Sequence, residues 1–289
     1  MSKIHYTEIF YSAQGEGRFV GVPSIFLRTF GCNFRCKKFG RDKNEIIEGN
    51  NPEVIKIINN INDYKTFNDL PLVSTGCDSY SSVYTEFKNY AIKDETDDLV
   101  SKMLDLVPGK SWMMPNGNDV HLVITGGEPL LGWQRSYPDL LSHKDMYNLL
   151  NLTFETNGTQ ELHDDFARYL KMWNRGGREI TFSVSAKLSA SGERWADAIK
   201  PDIVRSYEKI GTTYLKFVVE KPADFDEVDQ AVAEYRRAKF DGVVYIMPVG
   251  GVVSVYDGNK FNVADEAMRR GYYYSPRLHV DLWGNSWGK

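Results

Sequence analysis

Three cysteines are the residues of this chain best suited to do chemistry. Cys32 and Cys36 share the stretch Gly31-Cys-Asn-Phe-Arg-Cys36, and Cys77 stands far downstream in Gly76-Cys-Asp-Ser-Tyr80. An odd number of thiols does not make a disulfide scaffold and points to a reducing compartment. Three thiolates fall one short of a structural zinc site, and no histidine stands near them in sequence. They do suit a four-iron four-sulfur cluster with one iron left open to a substrate or cofactor, because soft sulfur donors select iron–sulfur clusters. Taken alone they do not decide, since cysteine is also a common buried hydrophobe.

Further chemical groups stand where apolar runs end. Thr125-Gly-Gly-Glu-Pro129 follows the apolar run 120–125. Gly126 and Gly127 let a ligand approach the backbone, and Glu128 with nearby carbonyls can accept from an ammonium group. An ordinary strand-to-loop turn broken by Pro129 explains the same residues. Glu155-Thr-Asn-Gly158 ends the next run. Asn157-Gly158 is a common turn, but Glu155 lies within a strand-like stretch, where an unpaired carboxylate is costly. Ser185, Ala186 and Lys187 leave a third strand with groups able to bind a ribose or a carboxylate, or simply to be solvated. Near the N-terminus, Tyr11-Ser-Ala-Gln-Gly-Glu-Gly17 precedes a strand that contains Arg28. A buried arginine needs an anionic partner. A carboxylated ligand would be held bidentately, and an internal ion pair with Glu8 or Glu16 would serve as well.

The elements that must position these groups alternate. Strands are expected at 25–29, 120–125, 152–157, 180–185, 214–219, 243–247 and 278–283, and helices at 142–150, 163–173, 224–240 and 262–270. Asp224 is placed as an N-cap. Such alternation means a parallel α/β sheet or barrel, with fewer strands than a closed eight-stranded barrel. Residues 37–76 break the rhythm with a polar stretch and one short helix at 52–61. They read as an insertion between two functional cysteines. A helix at 94–106 would turn Leu99, Met103 and Leu106 inward. Most of the six tryptophans, Trp112 to Trp287, read as packing.

The composition fits small-molecule chemistry in a globular, cytoplasmic protein. Of 289 residues, 42% are hydrophobic and 26% charged, enough for a sizeable core. A net charge of −4 gives no nucleic-acid footprint. No apolar run approaches the ~20 residues of a membrane span. The first residues, from Met1 to Glu8, hold no apolar targeting segment.

Together these stretches resemble the radical S-adenosylmethionine (SAM) superfamily: a three-cysteine loop after one strand and Gly-Gly-Glu-Pro after the next. More narrowly, the chain is similar to the 7-carboxy-7-deazaguanine synthase family. The stretches that match run from Glu8 to Gly17, Gly21 to Arg28 and Phe30 to Phe34, with Cys77-Asp-Ser79, Thr125 to Pro129, Phe154 to Thr159 and Ser185-Ala-Lys187. The resemblance implies a modified partial (β/α)6 barrel in one domain, 1–289, and a homodimer. It implies conversion of 6-carboxy-5,6,7,8-tetrahydropterin to 7-carboxy-7-deazaguanine with SAM, a 4Fe-4S cluster, Mg2+ and a flavodoxin-type or other electron donor. By the same resemblance Cys32, Cys36 and Cys77 hold the cluster and Ser79 the magnesium. Asp78, Gly126, Gly127, Glu128, Glu155, Asn157, Ser185, Ala186, Lys187 and Leu188 hold SAM. Ala13, Gln14, Gly15, Glu16, Arg28 and Thr125 hold the pterin. No side chain is assigned as a general acid or base.

The chain departs from the superfamily's Cys-x3-Cys-x2-Cys spacing. Phe39 occupies the third slot, and Cys77 takes over the ligand role with the insertion inside the loop. Ser79 stands where the family has threonine, and Ser185-Ala-Lys187 where it has serine-proline-lysine. Three other readings remain: another radical SAM enzyme such as an activating enzyme, a non-catalytic iron–sulfur regulator, and a plain electron carrier. Turnover of the carboxypterin separates the first from the proposed reaction, and SAM binding separates an enzyme from a carrier. The insertion offers the regulator a contact surface, although all three thiols persist.

Overall fold

The computed structural model describes residues 3–42 and 44–289, so Met1 and Ser2 of the N-terminal stretch and Lys43 of the insertion lie outside the described residues. Among the described residues nine strands form one open sheet: β1 (Ile4–Ala13), β2 (Pro23–Thr29), β3 (Ile92–Asp94), β4 (His121–Gly126), β5 (Asn151–Thr156), β6 (Glu179–Val184), β7 (Thr212–Val219), β8 (Val244–Pro248) and β9 (Tyr273–Tyr274). Their order is β3-β1-β2-β4-β5-β6-β7-β8-β9. From β2 to β9 every pairing is parallel, whereas β1 runs antiparallel to both β2 and β3. The sheet does not close, as a partial barrel requires. The inner strands β4 to β7 are buried along most of their length, on both faces, as expected where helices cover a parallel sheet. Their carboxyl ends face one side, where α/β folds build sites.

Several elements differ from the sequence reading. Strand β1 was not expected, because His5, Thr7 and Glu8 interrupt its alternation. It forms as an added antiparallel edge, with Glu8 buried opposite Arg28. The final segment Leu278–Trp283 is a helix, not a strand. Its apolar–polar alternation is a chance period of two, and Gly284 ends the helix at φ +61°. The last strand is instead Tyr273–Tyr274, preceded by a helix that begins earlier than expected, Val253–Arg270. The helix expected at 142–150 forms as Tyr137–Leu141 and a single 3-10 turn, Lys144–Met146. Leu106 is exposed at the end of Thr96–Leu106, although Leu99 and Met103 point inward. Asp224 turns its carboxylate back onto the amides of Glu220 and Lys221 rather than capping Phe225–Arg237.

The insertion builds a second small core. Asn51 caps Pro52–Asn59, its Oδ1 accepting the Glu53 amide at 2.9 Å, and Pro52 starts the helix where no amide hydrogen is needed. Val54, Ile57, Leu70 and Val73 then pack against Tyr80, Val83, Tyr84 and Phe87, which follow Cys77. The apolar residues on both sides of the third cysteine thus bury one another and bring Cys77 back to the sheet.

Candidate functional site

One cavity lies at the carboxyl ends of the parallel strands, and all three cysteines line it as free thiols. Cys36 packs with Cys32, Cys77, Phe34 and Phe39. The Cys32 loop is held from two sides: the Gly31 amide donates to the Ser82 carbonyl, and the Glu128 amide to the Gly31 carbonyl, both at 2.8 Å. A Cβ on Gly127 would stand 2.4 Å from the Gly31 oxygen, so only glycine lets the second loop approach this closely. Cys36 adopts φ +48°, a conformation costly for a non-glycine residue. Glu193 stabilises it, one carboxylate oxygen accepting the amides of Arg35 at 2.9 Å and Cys36 at 2.7 Å. Burial pushes the Cys32 thiol up to about 11, the Cys77 thiol up to about 12 and Cys36 well above its ordinary value. Thiols so placed ionise readily only when a metal compensates the charge. Among the described residues no three His, Cys, Asp or Glu side chains gather closely enough for a single metal ion. A multi-iron cluster is the soft-donor group that three such thiols fit.

The second wall comes from strand ends. Register sets Arg28 beside Thr125, and Glu155 beside Ser183. Glu155 accepts from Gln14 Nε2 at 3.1 Å and from Thr125 Oγ1 at 3.2 Å. Asn157 donates to Asn33 in the cysteine loop at 2.9 Å. Lys187 donates to Ser185 Oγ at 2.9 Å, and its ammonium lies 6.0 Å from the ring of Phe39, the residue in the vacated cysteine slot. Thr125, Gly126, Gly127, Glu155, Asn157, Ser185 and Lys187 line the cavity. Glu128, Ala186 and Leu188 do not; they are buried behind it. The Glu128 carboxylate accepts the amides of Asn157 at 2.6 Å and Leu130 at 3.0 Å and the Thr156 hydroxyl at 2.7 Å, so its side chain braces the two strand-end loops.

The third wall is charged. Ala13, Gln14, Gly15, Glu16, Arg28, Asp78 and Ser79 all reach the cavity. Arg28 Nε pairs with Glu8 Oε2 at 3.0 Å, and Arg28 Nη1 donates to Ser79 Oγ at 2.8 Å. The internal pair weighed for Arg28 is therefore made, with Glu8 and not Glu16. Glu16 is bound instead by Lys216 and by Arg277, whose other guanidinium nitrogens reach Asp78 and the Gly250 carbonyl. Burial works to raise the Glu16 carboxyl, but Lys216, Arg277 and His279 outweigh it and hold the group far below the usual carboxylate range.

Lys216, Arg277, His279, Glu193 and Trp287 were not singled out from the sequence. Lys216 carried the signal that flagged Arg28, a charge inside an apolar strand. Arg277 and His279 were hidden by the misread last segment. Trp287 was counted as packing. It does pack, against Phe67 at 4.8 Å between ring centroids and with its indole N–H on the Leu70 carbonyl, yet it also lines the cavity. The next residue, Gly288, donates its amide to Glu8 at 2.6 Å.

No family model matches the chain. A 7-carboxy-7-deazaguanine synthase from Halobacterium salinarum is 31% identical, covering 96% of this chain and 90% of its own. The synthase from Pyrobaculum aerophilum is 27% identical over 99% of this chain and 98% of its own. Among solved structures, QueE from Escherichia coli shares the fold with a TM-score of 0.53 at 18% identity, over 96% of this chain and 95% of that one. The similarity to the synthases runs over nearly the whole length of both chains. The chain belongs to the 7-carboxy-7-deazaguanine synthase family of radical SAM enzymes.

Proposed function

We propose that the chain converts 6-carboxy-5,6,7,8-tetrahydropterin to 7-carboxy-7-deazaguanine with loss of ammonia. The observation that supports it best is the single cavity in which three free thiols meet a strand-end wall on one side and a charged wall on the other. Cys32, Cys36 and Cys77 would hold the 4Fe-4S cluster. With SAM bound, such a cluster would supply the one-electron chemistry that lets SAM act as a hydrogen-atom acceptor toward the pterin.

The chain's own residues hold, orient and shield. Gly126, Gly127, Glu155, Asn157, Asp78, Ser185 and Lys187 would hold SAM, with Glu128, Ala186 and Leu188 supporting that wall from behind. Ala13 to Glu16, Arg28 and Thr125 would hold the pterin. Arg28 already spends part of its fork on Glu8 and Ser79, so a substrate carboxylate would join an existing pair. Burial of these groups strengthens each contact and keeps water from the reacting atoms.

Magnesium belongs to the same reading. The ion takes one or two protein oxygens and keeps several waters. Ser79 Oγ faces the cavity with Asp78 Oδ1 at 3.4 Å, and would be the protein ligand. A homodimer, a flavodoxin-type or other electron donor, a cytoplasmic setting and one domain across 1–289 with its insertion at 37–76 complete the proposal. The odd set of free thiols suits a reducing compartment, and among the described residues no helix is long and apolar enough to cross a membrane. The test is mass spectrometry of the product from carboxytetrahydropterin after anaerobic cluster reconstitution. Formation of 7-carboxy-7-deazaguanine supports the reading; SAM cleavage without it overturns the substrate assignment.

A further inference from the structure

Arg277 follows β9 and is 6% exposed, yet it lines the cavity. Four chain segments meet on it. Its Nε lies 3.3 Å from Glu16 Oε1, Nη1 donates to the Gly250 carbonyl, Nη2 binds Asp78 Oδ2, and its amide donates to the Tyr256 hydroxyl at 3.0 Å. Glu16 ends the loop after β1, on the side assigned to the pterin. Asp78 directly follows Cys77, the cluster ligand displaced by the insertion. Two partly buried carboxylates, one from the loop after β1 and one beside Cys77, therefore share one planar cation. A guanidinium can serve both because its donors form a rigid fork, which an ammonium lacks.

We propose that Arg277 is a positioning residue that ties the Cys77–Asp78 segment to the Glu16 loop, so that occupancy of the substrate side is felt at the cluster and SAM cleavage stays coupled to turnover. The proposal rests on the radical SAM reading above. Glu16 is held from its other side by Lys216 and lies 3.8 Å from His279 Nε2, so any ligand that draws on the Glu16 carboxylate must pull on this network. A path of ion pairs runs from there through Arg277 to Asp78, the residue after Cys77. The insertion sharpens the need: with 37–76 between Cys36 and Cys77, the chain itself does not fix the third ligand.

The experiment uses the full chain, reconstituted anaerobically, as wild type, Arg277→Lys, Asp78→Asn, Glu16→Gln and the Arg277→Lys/Glu16→Gln pair. Iron and sulfide content and circular dichroism confirm a full cluster and a folded chain. The first readout is the ratio of 5′-deoxyadenosine to deazaguanine product. It should rise by about tenfold in Arg277→Lys and in Asp78→Asn. The second is the cluster's reduction potential without substrate. Glu16→Gln should shift it in the wild-type background and leave it unmoved once Arg277 is lysine. An unchanged ratio, or a Glu16→Gln shift that persists in Arg277→Lys, overturns the coupling. If Arg277→Lys does not fold, Asp78→Asn breaks the same link; because Asp78 also stands on the SAM side, its ratio is read at saturating SAM, and a wild-type ratio there overturns the coupling. Wild type that makes no deazaguanine fails the functional reading instead, and the potential cycle still tests the link.

Discussion

The two non-cysteine walls of the cavity are built by different physics. The strand-end wall is short-range: Gly126, Gly127, Glu155, Asn157 and Ser185 reach the site because their strands lie in parallel register, and Glu128 braces the loops with three hydrogen bonds. The charged wall is long-range. It gathers Glu8, Glu16, Arg28, Asp78, Lys216 and Arg277 from five separate stretches and closes with Trp287 on the insertion's own core. The first wall is fixed by the sheet. The second exists only once distant segments have docked, which makes it the side free to vary with an insertion or a substrate.

The largest effect should come from breaking the first wall. Glu128→Ala leaves the Asn157 and Leu130 amides and the Thr156 hydroxyl without their acceptor. An unsatisfied buried group costs about 1–3 kcal/mol, so a loss of about 3 kcal/mol or more is expected by denaturant unfolding. Glu128→Gln keeps one acceptor oxygen and should lose less. A loss below about 1 kcal/mol for Glu128→Ala would mean that the loops are braced elsewhere.

The second wall should fail more gently and more selectively. Trp287→Ala removes the ring on Phe67 and the bond to Leu70, and with it the placement of Gly288 on Glu8. The substrate KM should rise about tenfold, equivalent to about 1.4 kcal/mol, while SAM affinity stays near wild type. Equal damage to both would erase the distinction between the walls.

That contrast also explains what was legible in the sequence. Residues of the first wall sit beside strand ends and carry local signatures, so Thr125 to Glu128, Glu155 and Ser185 to Lys187 could be picked out as candidates, although each motif alone reads equally as a turn or a solvated exit and only the family resemblance gives it a role. The three thiols could be found by counting. Arg277 and His279 could not, because Leu278–Trp283 alternates like a strand while Gly284 makes it a helix. Strand β1 was missed because its polar residues are taken up within the fold, Glu8 by Arg28 and Thr7 by Ser82, and not by solvent. Glu128 was legible as a site residue, but only packing shows that its carboxylate turns away from the cavity.

The charged wall should also show in the pH dependence of stability. Burial, helped by Arg277, pushes His279 down to about 4 from 6.5. Its folded-state pKa is below its unfolded one, so the stability it contributes is present above about pH 6.5 and is lost as pH falls toward about 4. Thermal midpoints across that window should fall less steeply for His279→Gln than for wild type. Parallel slopes would place His279 outside the charged wall's energetics.

Both walls serve a cluster only if Cys77 acts as its third ligand across the insertion. Mössbauer spectra of anaerobically reconstituted wild type and Cys77→Ala, with 5′-deoxyadenosine assayed on the same samples, test this directly. Wild type should hold one 4Fe-4S cluster and cleave SAM, and Cys77→Ala should do neither. A full cluster with SAM cleavage in Cys77→Ala would contradict it.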